Sequence, residues 1–149
     1  MQNTGIDFDF YQKIFEKYIP FHQYMDFRLL EVQEGYAKAL IPFKKELIGN
    51  AMEGNLHGGV LVAAMDSIAG LAGMTTIDVR KDKISTVDLR IDFLAPGKAK
   101  DVLVEAQVMK SGNRIVFTHS KVFHKNNPEK ILAEGRAVFS VKRKGNSNE

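Results

Sequence analysis

One apolar segment, residues 59–74, constrains the fold of this chain more than any other feature. Apart from Asp66 and Ser67, it consists of glycine, alanine and larger apolar residues. Because its apolar side chains would cover most sides of a helix rather than one stripe, the segment is typical of a helix enclosed by other elements. It is too short to span a bilayer. We therefore predict a buried helix at the centre of the fold.

Strand-like segments lie on both sides of this helix. Turn-forming residues separate them, such as Glu34-Gly35 and Ser111-Gly112-Asn113. The predicted strands are residues 27–33, 36–41, 83–94, 101–110, 114–124 and 131–141. Two strands, a buried helix and four strands joined by tight turns predict an α+β fold, in which a curved antiparallel sheet wraps one long helix.

Apolar and polar residues alternate in the first strand after the helix. Successive side chains of a strand point to opposite faces of the sheet. The apolar set, which we expect to pack against the core, is Val87, Leu89, Ile91 and Phe93. The polar set, which we expect to face water, is Thr86, Asp88, Arg90 and Asp92.

The length of 149 residues is typical of a single domain spanning residues 1–149. Aromatic and aliphatic residues at helical spacing predict a short leading helix over about 8–19, which ends before Pro20. Residues 44–57 are predicted to form an irregular loop. The basic residues 142–144 begin a tail, about 142–149, that we expect to be solvated and disordered.

The composition argues against several classes of function. Lys and Arg number 21 against 18 Asp and Glu, and the excess lies in the tail, so we expect no nucleic-acid partner. The chain has no cysteine, which excludes disulfides and thiolate chemistry and fits a reducing compartment. The N-terminal residues do not resemble a signal peptide, so we expect a cytoplasmic protein without a membrane partner. The four histidines lack the spacing of metal ligands, so we expect no metal site.

His57, Gly58 and Gly59 stand where the loop meets the predicted helix. The first N–H groups of a helix have no partner within it, and the positive end of the helix dipole lies behind them. Such donors can hold a carbonyl oxygen as it becomes an oxyanion, and glycine lets a substrate approach the backbone. The alternatives are a loop that needs positive φ at the glycines, and a helix-capping role for His57.

Asp66 lies in the middle of the apolar segment and has no side-chain partner along the helix. An unpaired buried carboxylate is costly, which favours a functional role over a structural one. The alternative is a capping aspartate at a helix break before Ser67. Asp66 follows His57 by nine residues, which places the two on opposite sides of a helix and about 13 Å apart along its axis. We therefore expect them to meet only across a two-fold dimer.

Three stretches carry a family resemblance: "LHGGVLVAAMD", "STVDLRIDFLAPG" and "AEGRAVFSV". Together they resemble the PaaI-type acyl-CoA thioesterases of the hotdog-fold superfamily over residues 27–141. The resemblance implies that His57, Gly58 and Gly59 form the helix terminus that polarises the thioester carbonyl. It implies that Asp66 of the partner subunit acts as nucleophile or as general base on water.

The resemblance also implies further site residues. An upstream asparagine helps to position the attacking group in the family, six residues before the histidine; Ala51 stands there in this chain. The candidates are Asn50, which we favour, and Asn55. Thr86 fills the position of a Ser or Thr that is frequent near the family's site.

The implied substrate contains coenzyme A, with no separate cofactor. Arg90 and Arg114 are the candidate contacts for its phosphates, or else ordinary solvated strand residues. A medium or long aliphatic acyl group is favoured, with an aromatic one second. We expect a homodimer or a dimer of dimers. The alternative functions are a non-catalytic acyl-CoA-binding hotdog protein and a hotdog hydratase or dehydratase.

Overall fold

The structure is a computed structural model that describes residues 5–145. Its central element is helix α3, Gly58–Met74, with 17 residues. His57 caps the helix through its side chain, and Thr75 follows the last turn. Nine residues of α3 are buried, including the fully enclosed Met65 and Ile68. The predicted buried helix is confirmed.

The strands are β1 Arg28–Gln33, β2 Tyr36–Ile41, β3 Ile48–Asn50, β4 Asn55–Leu56, β5 Lys83–Phe93, β6 Val102–Ser111, β7 Ile115–His124 and β8 Asn127–Lys142. Six of them form one antiparallel sheet in the order β1-β2-β6-β7-β8-β5. Helix α3 packs against β2, β6, β7, β8 and β5, so the core lies between the helix and this sheet. The predicted α+β architecture and all six predicted strands are confirmed.

The loop predicted at 44–57 is more regular than expected. A short 3-10 helix, Lys45–Leu47, leads into β3, and β3 pairs with β4 in a separate two-stranded sheet. The two strands are only three and two residues long, which is too short for residue alternation to reveal them.

The leading helix is divided into three parts. Helix α1, Phe8–Gln12, is capped by Asp7 and continues as a π-helical turn, Lys13–Lys17. Helix α2, Pro20–Met25, then begins with the proline that we expected only to end a helix. Proline is tolerated at the first helical position because that residue's N–H needs no partner within the helix.

Strand β5 departs from the predicted alternation. A β-bulge interrupts its pairing with β8 between Thr86 and Asp88, and such an extra residue changes which side chains face the core. Val87 and Phe93 are 58% and 55% exposed, so the prediction that they pack is wrong. Thr86 is exposed, as predicted, and its hydroxyl also reaches helix α3.

The start of the predicted C-terminal tail belongs to the sheet. Lys142 is the last residue of β8. Arg143 forms an ion pair with Asp82, with its Nη1 at 2.7 Å from Oδ2. The tail therefore begins after Lys142, and residues 146–149 lie outside the described part, so the disorder expected of the tail stays a prediction. Within residues 5–145, no helix has the length and apolarity needed to cross a membrane.

Candidate active site

Asp66 is half-buried on α3 and accepts a hydrogen bond from a neighbouring strand. Thr86 on β5 donates its hydroxyl to Oδ1 of Asp66 over 2.9 Å. The expectation that Asp66 has no partner along its own helix holds, but the carboxylate is not isolated, because the fold supplies Thr86. No cation pairs with Asp66 among residues 5–145. The helix is unbroken through Ser67, which excludes the alternative of a capping aspartate at a helix break.

A cavity of about 210 Å³ opens beside Asp66. It lies between the leading helices, α3 and β5. Its apolar wall consists of Ile14, Phe15, Ile19, Leu71, Met74, Ile84 and Phe139. Polar groups enter it chiefly from Asp66, Ser67, Thr86 and His22. The site therefore combines one carboxylate with an apolar pocket, as in many small-molecule sites.

The two glycine amides at the start of α3 are not equivalent. Gly59 donates its N–H to Nδ1 of His57 over 2.8 Å, so His57 caps the helix and a neutral ring carries its proton on Nε2. Gly58 has no acceptor for its N–H within residues 5–145. Of the two predicted donors, only the amide of Gly58 is free to bind a carbonyl oxygen. The capping role that the sequence left open for His57 is thus observed.

Gly49 packs directly against this helix terminus, which our sequence analysis missed. A Cβ at Gly49 would lie 2.6 Å from Cα of His57, so only glycine fits without displacing the backbone. The N–H of His57 also donates to the carbonyl of Leu47 over 2.8 Å. The strand pair β3-β4 thereby holds the start of α3 in place.

Gly58 and Asp66, both on α3, lie beside opposite ends of the neighbouring strand β5. A Cβ at Gly58 would be 3.2 Å from the ring of Phe93, the last residue of β5, whereas Asp66 bonds Thr86 near the first. Along α3 they are eight residues apart, which corresponds to about 12 Å. Within one chain, the free amide and the carboxylate therefore do not act on the same atom.

Comparison with known proteins identifies the family. The family "Thioesterase superfamily" matches residues 53–131, which is more than half of the chain and includes Gly58, Asp66 and Thr86. This chain belongs to the thioesterase superfamily. It is a thioester hydrolase, as the resemblance implied.

Two curated relatives illustrate the range of similarity to this thioesterase. A putative esterase of Saccharolobus solfataricus is 32% identical over 117 residues, which cover 78% of this chain and 74% of the relative. The medium/long-chain acyl-CoA thioesterase YigI of Escherichia coli K12 is 25% identical over 141 residues, which cover 87% of this chain and 90% of YigI.

Solved structures confirm the hotdog fold that the resemblance implied. A thioesterase from Haemophilus influenzae superposes with a TM-score of 0.82 at 19% identity, over 97% of this chain and 96% of the other. A thioesterase family protein from Silicibacter pomeroyi has the same TM-score of 0.82 at 18% identity, over 92% of this chain and 99% of the other. At these identities the likeness concerns the fold.

The two candidate asparagines of this thioesterase shape a turn. Oδ1 of Asn50 accepts the N–H groups of Met52 and Glu53 at 3.1 and 3.2 Å. Asn55 donates to Glu53 over 2.9 Å. Neither asparagine is hydrogen-bonded to Asp66 or Gly58 within the described residues. A role for Asn50 or Asn55 in positioning the attacking group stays a prediction.

The two candidate arginines lie in different surroundings. Arg90 is exposed on β5 and pairs with Asp92 at 3.4 Å, and both line a surface depression with Glu134. Arg114 precedes β7 and lines a depression with Lys142 and Arg143. The depression beside Arg114 thus contains cations and no carboxylate, whereas the depression beside Arg90 contains both Arg136 and the two carboxylates.

Sequence analysis also missed His22, which is only 5% exposed beside the cavity. Its Nδ1 lies 2.8 Å from the carbonyl oxygen of Phe15, and its Nε2 lies 2.9 Å from Oγ of Ser67. Because a carbonyl only accepts, Nδ1 of the neutral ring carries the proton and the Ser67 hydroxyl donates to Nε2. Burial lowers the pKa of His22, while the hydrogen bond to Phe15 acts in the opposite direction. The one available signal was Ser67, which with Asp66 is one of two polar residues in an otherwise apolar helix.

Proposed function

We propose that this thioesterase hydrolyses acyl-CoA thioesters to the free acid and coenzyme A. The observation that carries the proposal is the half-buried Asp66, held by the neutral donor Thr86 at the mouth of an apolar cavity. The cavity accepts the acyl chain and the carboxylate acts on the thioester carbonyl at its entrance. The name of the Escherichia coli relative supports the same substrate class.

Asp66 supplies the reactive oxygen of this mechanism. It attacks the thioester carbonyl itself, forming a mixed anhydride that water then hydrolyses to the free acid, or it takes a proton from a water that attacks. Either way the carbonyl oxygen gains negative charge and the coenzyme A thiolate leaves. The single hydroxyl donor at Oδ1 leaves the other carboxylate oxygen, Oδ2, to react. In the described residues no cation neutralises it.

The amide of Gly58 stabilises the carbonyl oxygen as it becomes negative. It is a fixed donor at the positive end of α3, so it needs no reorganisation when the charge develops. His57 contributes by capping: its ring engages the Gly59 amide and fixes the first turn of the helix. We thus assign the oxyanion contact to Gly58 and a positioning role to His57.

The complete site forms between two subunits. Strand β5 is a sheet edge with exposed Val87 and Phe93, and such an edge readily pairs with another strand. Antiparallel pairing of β5 with the partner's β5 would reverse the strand ends. Gly58 of the partner subunit, beside its own Phe93, would then come to the end of β5 where Thr86 holds Asp66. A two-fold dimer contains two such sites.

A medium or long aliphatic acyl group is the acyl part that we propose. Seven apolar residues line it, and the relative YigI carries that chain-length range in its name. A hydrophobic pocket gains affinity with each methylene that it buries, so kcat/KM should rise with chain length until the cavity is full.

The first test measures free thiol release from a panel of acyl-CoA substrates by the parent and by Asp66→Asn. The amide keeps the size of the side chain but removes its base and nucleophile, so we expect kcat to fall by about 10³-fold or more. Asp92→Asn, which changes an exposed carboxylate on β5, is the matched control and should retain activity. Circular dichroism checks that both variants are folded. Turnover by Asp66→Asn near the parental rate would contradict the mechanism.

A further inference from the structure

Six cations from two chain segments converge on one groove at the end of the sheet. The groove has a volume of about 500 Å³. Its cations are Arg80, Lys81, Lys83, Lys142, Arg143 and Lys144. We call these residues the basic groove. Arg114 lines an adjoining depression together with Lys142 and Arg143.

The basic groove holds more positive charge than its own carboxylates neutralise. Lys81 pairs with Asp78 at 3.2 Å and Arg143 with Asp82 at 2.7 Å. Among residues 5–145, no ion pair forms with the other four cations of the groove. A concave surface lined by one sign of charge concentrates ligands of the opposite sign.

Two of these cations stand directly opposite each other. In the pairing of β5 with β8, Lys83 is the register partner of Lys142. Side chains in such positions are about 5 Å apart at Cβ, and like charges there destabilise the sheet. Since Lys83 and Lys142 have no carboxylate partner in the described residues, an anionic ligand between them would relieve the repulsion.

Arg143 makes the floor of the groove rigid. Besides the Asp82 carboxylate, it donates to the carbonyl oxygens of Asn113 and Gly112 at 3.0 and 3.3 Å. The backbone N–H of Lys144 donates to Asp82 over 3.2 Å. These bonds fasten the end of β8 to the turn before β7, so the backbone that carries Lys142 and Lys144 is held in place.

The groove lies next to the candidate active site. Lys83 precedes Thr86 by three residues on β5, which corresponds to about 10 Å. The three residues that follow Lys83, namely Ile84, Ser85 and Thr86, all line the cavity beside Asp66. One extended ligand along the first residues of β5 can therefore reach both places.

We infer that the basic groove binds the phosphate groups of the substrate's coenzyme A, with Lys83 and Lys142 on either side of a phosphate. This inference rests on the proposed function. The pantetheine arm, which separates the phosphates from the sulfur, crosses the start of β5 and carries the thioester to Asp66. Arg114 extends the groove, whereas Arg90 takes no part, because Asp92 and Glu134 offset the charge of Arg90 and Arg136 in their depression.

The test compares two substrates with the same acyl group, one on coenzyme A and one on pantetheine, which has no phosphate. The variant is the double substitution Lys83→Gln and Lys142→Gln, which also removes the repulsion and should not lower the melting temperature. We expect KM for acyl-CoA to rise by about 10-fold or more, because charge-assisted bonds to phosphate are lost. KM for acyl-pantetheine and both kcat values should stay at the parental level.

A matched control is Lys125→Gln with Lys130→Gln, two exposed lysines in the turn before β8 and near the first residue of β8. It should leave both KM values unchanged. Raising the ionic strength should increase KM of the parent for acyl-CoA more than KM of the groove variant.

The outcomes separate the two proposals. If the parent cleaves neither substrate, the proposed function fails. If the parent cleaves both and the groove variant changes the two KM values equally, or changes neither, the inference is overturned. A third substrate carries the same acyl group on an acidic carrier protein. If the groove variant loses activity toward that substrate alone, the groove docks the protein and the coenzyme A assignment is wrong.

Discussion

At the scale of single residues, Thr86 makes the hydrogen bond that positions the carboxylate of Asp66. We expect Thr86→Val to lower kcat about 10- to 100-fold, since hydrogen bonds to charged groups contribute about 1.5–3 kcal/mol. The substitution keeps the shape of the side chain but removes the donor to Asp66. Because Thr86 is exposed, the melting temperature should change little. Steady-state thiol release and thermal denaturation measure the two effects.

Thr86→Ser is the conservative control for this position. It keeps the hydroxyl and should retain most of the parental kcat. Equal kcat values for the parent and Thr86→Val would show that the 2.9 Å bond does not position Asp66.

At the scale of elements, His22 joins three helical segments. It belongs to α2, bonds the carbonyl of Phe15 in the π-helical turn and accepts from Ser67 on α3. It thereby holds the wall of the cavity that Ile14, Phe15 and Ile19 form.

We expect His22→Ala to lower the free energy of unfolding by about 1–3 kcal/mol, because it leaves buried polar groups without partners. His119→Ala, on the half-exposed histidine of β7, should cost far less. Urea denaturation at pH 7.5 compares the two. A loss of stability no greater than that of His119→Ala would show that His22 does not fasten the leading helices.

The substitution His22→Ala should also change how the free energy of unfolding depends on pH. Burial lowers the pKa of His22 in the folded protein below its ordinary value of 6.5, so the unfolded chain binds more protons as the pH falls. The stability contributed by the neutral ring is complete above pH 6.5 and is lost as the pH falls below it. This part of the acid destabilisation should be absent in His22→Ala.

At the scale of the whole molecule, the proposed shared site predicts complementation between two inactive variants. Gly58→Pro removes the free amide, and proline is tolerated at the first position of a helix. His57, with φ −63° and ψ 130°, already has the conformation that a following proline requires. When the Gly58→Pro variant is mixed with Asp66→Asn under conditions of subunit exchange, activity should return, because each heterodimer has one intact site.

Random exchange of equal amounts produces about half heterodimers, so recovery should approach about a quarter of the parental activity. Each variant alone is the control, and light scattering should report a dimer or a dimer of dimers. Proven heterodimers without recovered activity would contradict the shared site.

The sequence by itself determined the buried helix, the six main strands and the place of Asp66 within them. These features depend on the period of apolar residues and on turn-forming residues, both of which are local. The helical rise and rotation also showed, without any structure, that His57 and Asp66 lie far apart in one chain.

Only the tertiary structure decided which side chains meet. The bulge in β5 turns Thr86 toward Asp66 and exposes Val87, and it arises from pairing with β8, about fifty residues along the chain. The contact of His22 with Ser67 and the register of Lys83 with Lys142 likewise join distant segments. Local periodicity carries no information about such partners, because strand register and helix docking depend on the packing of the whole core.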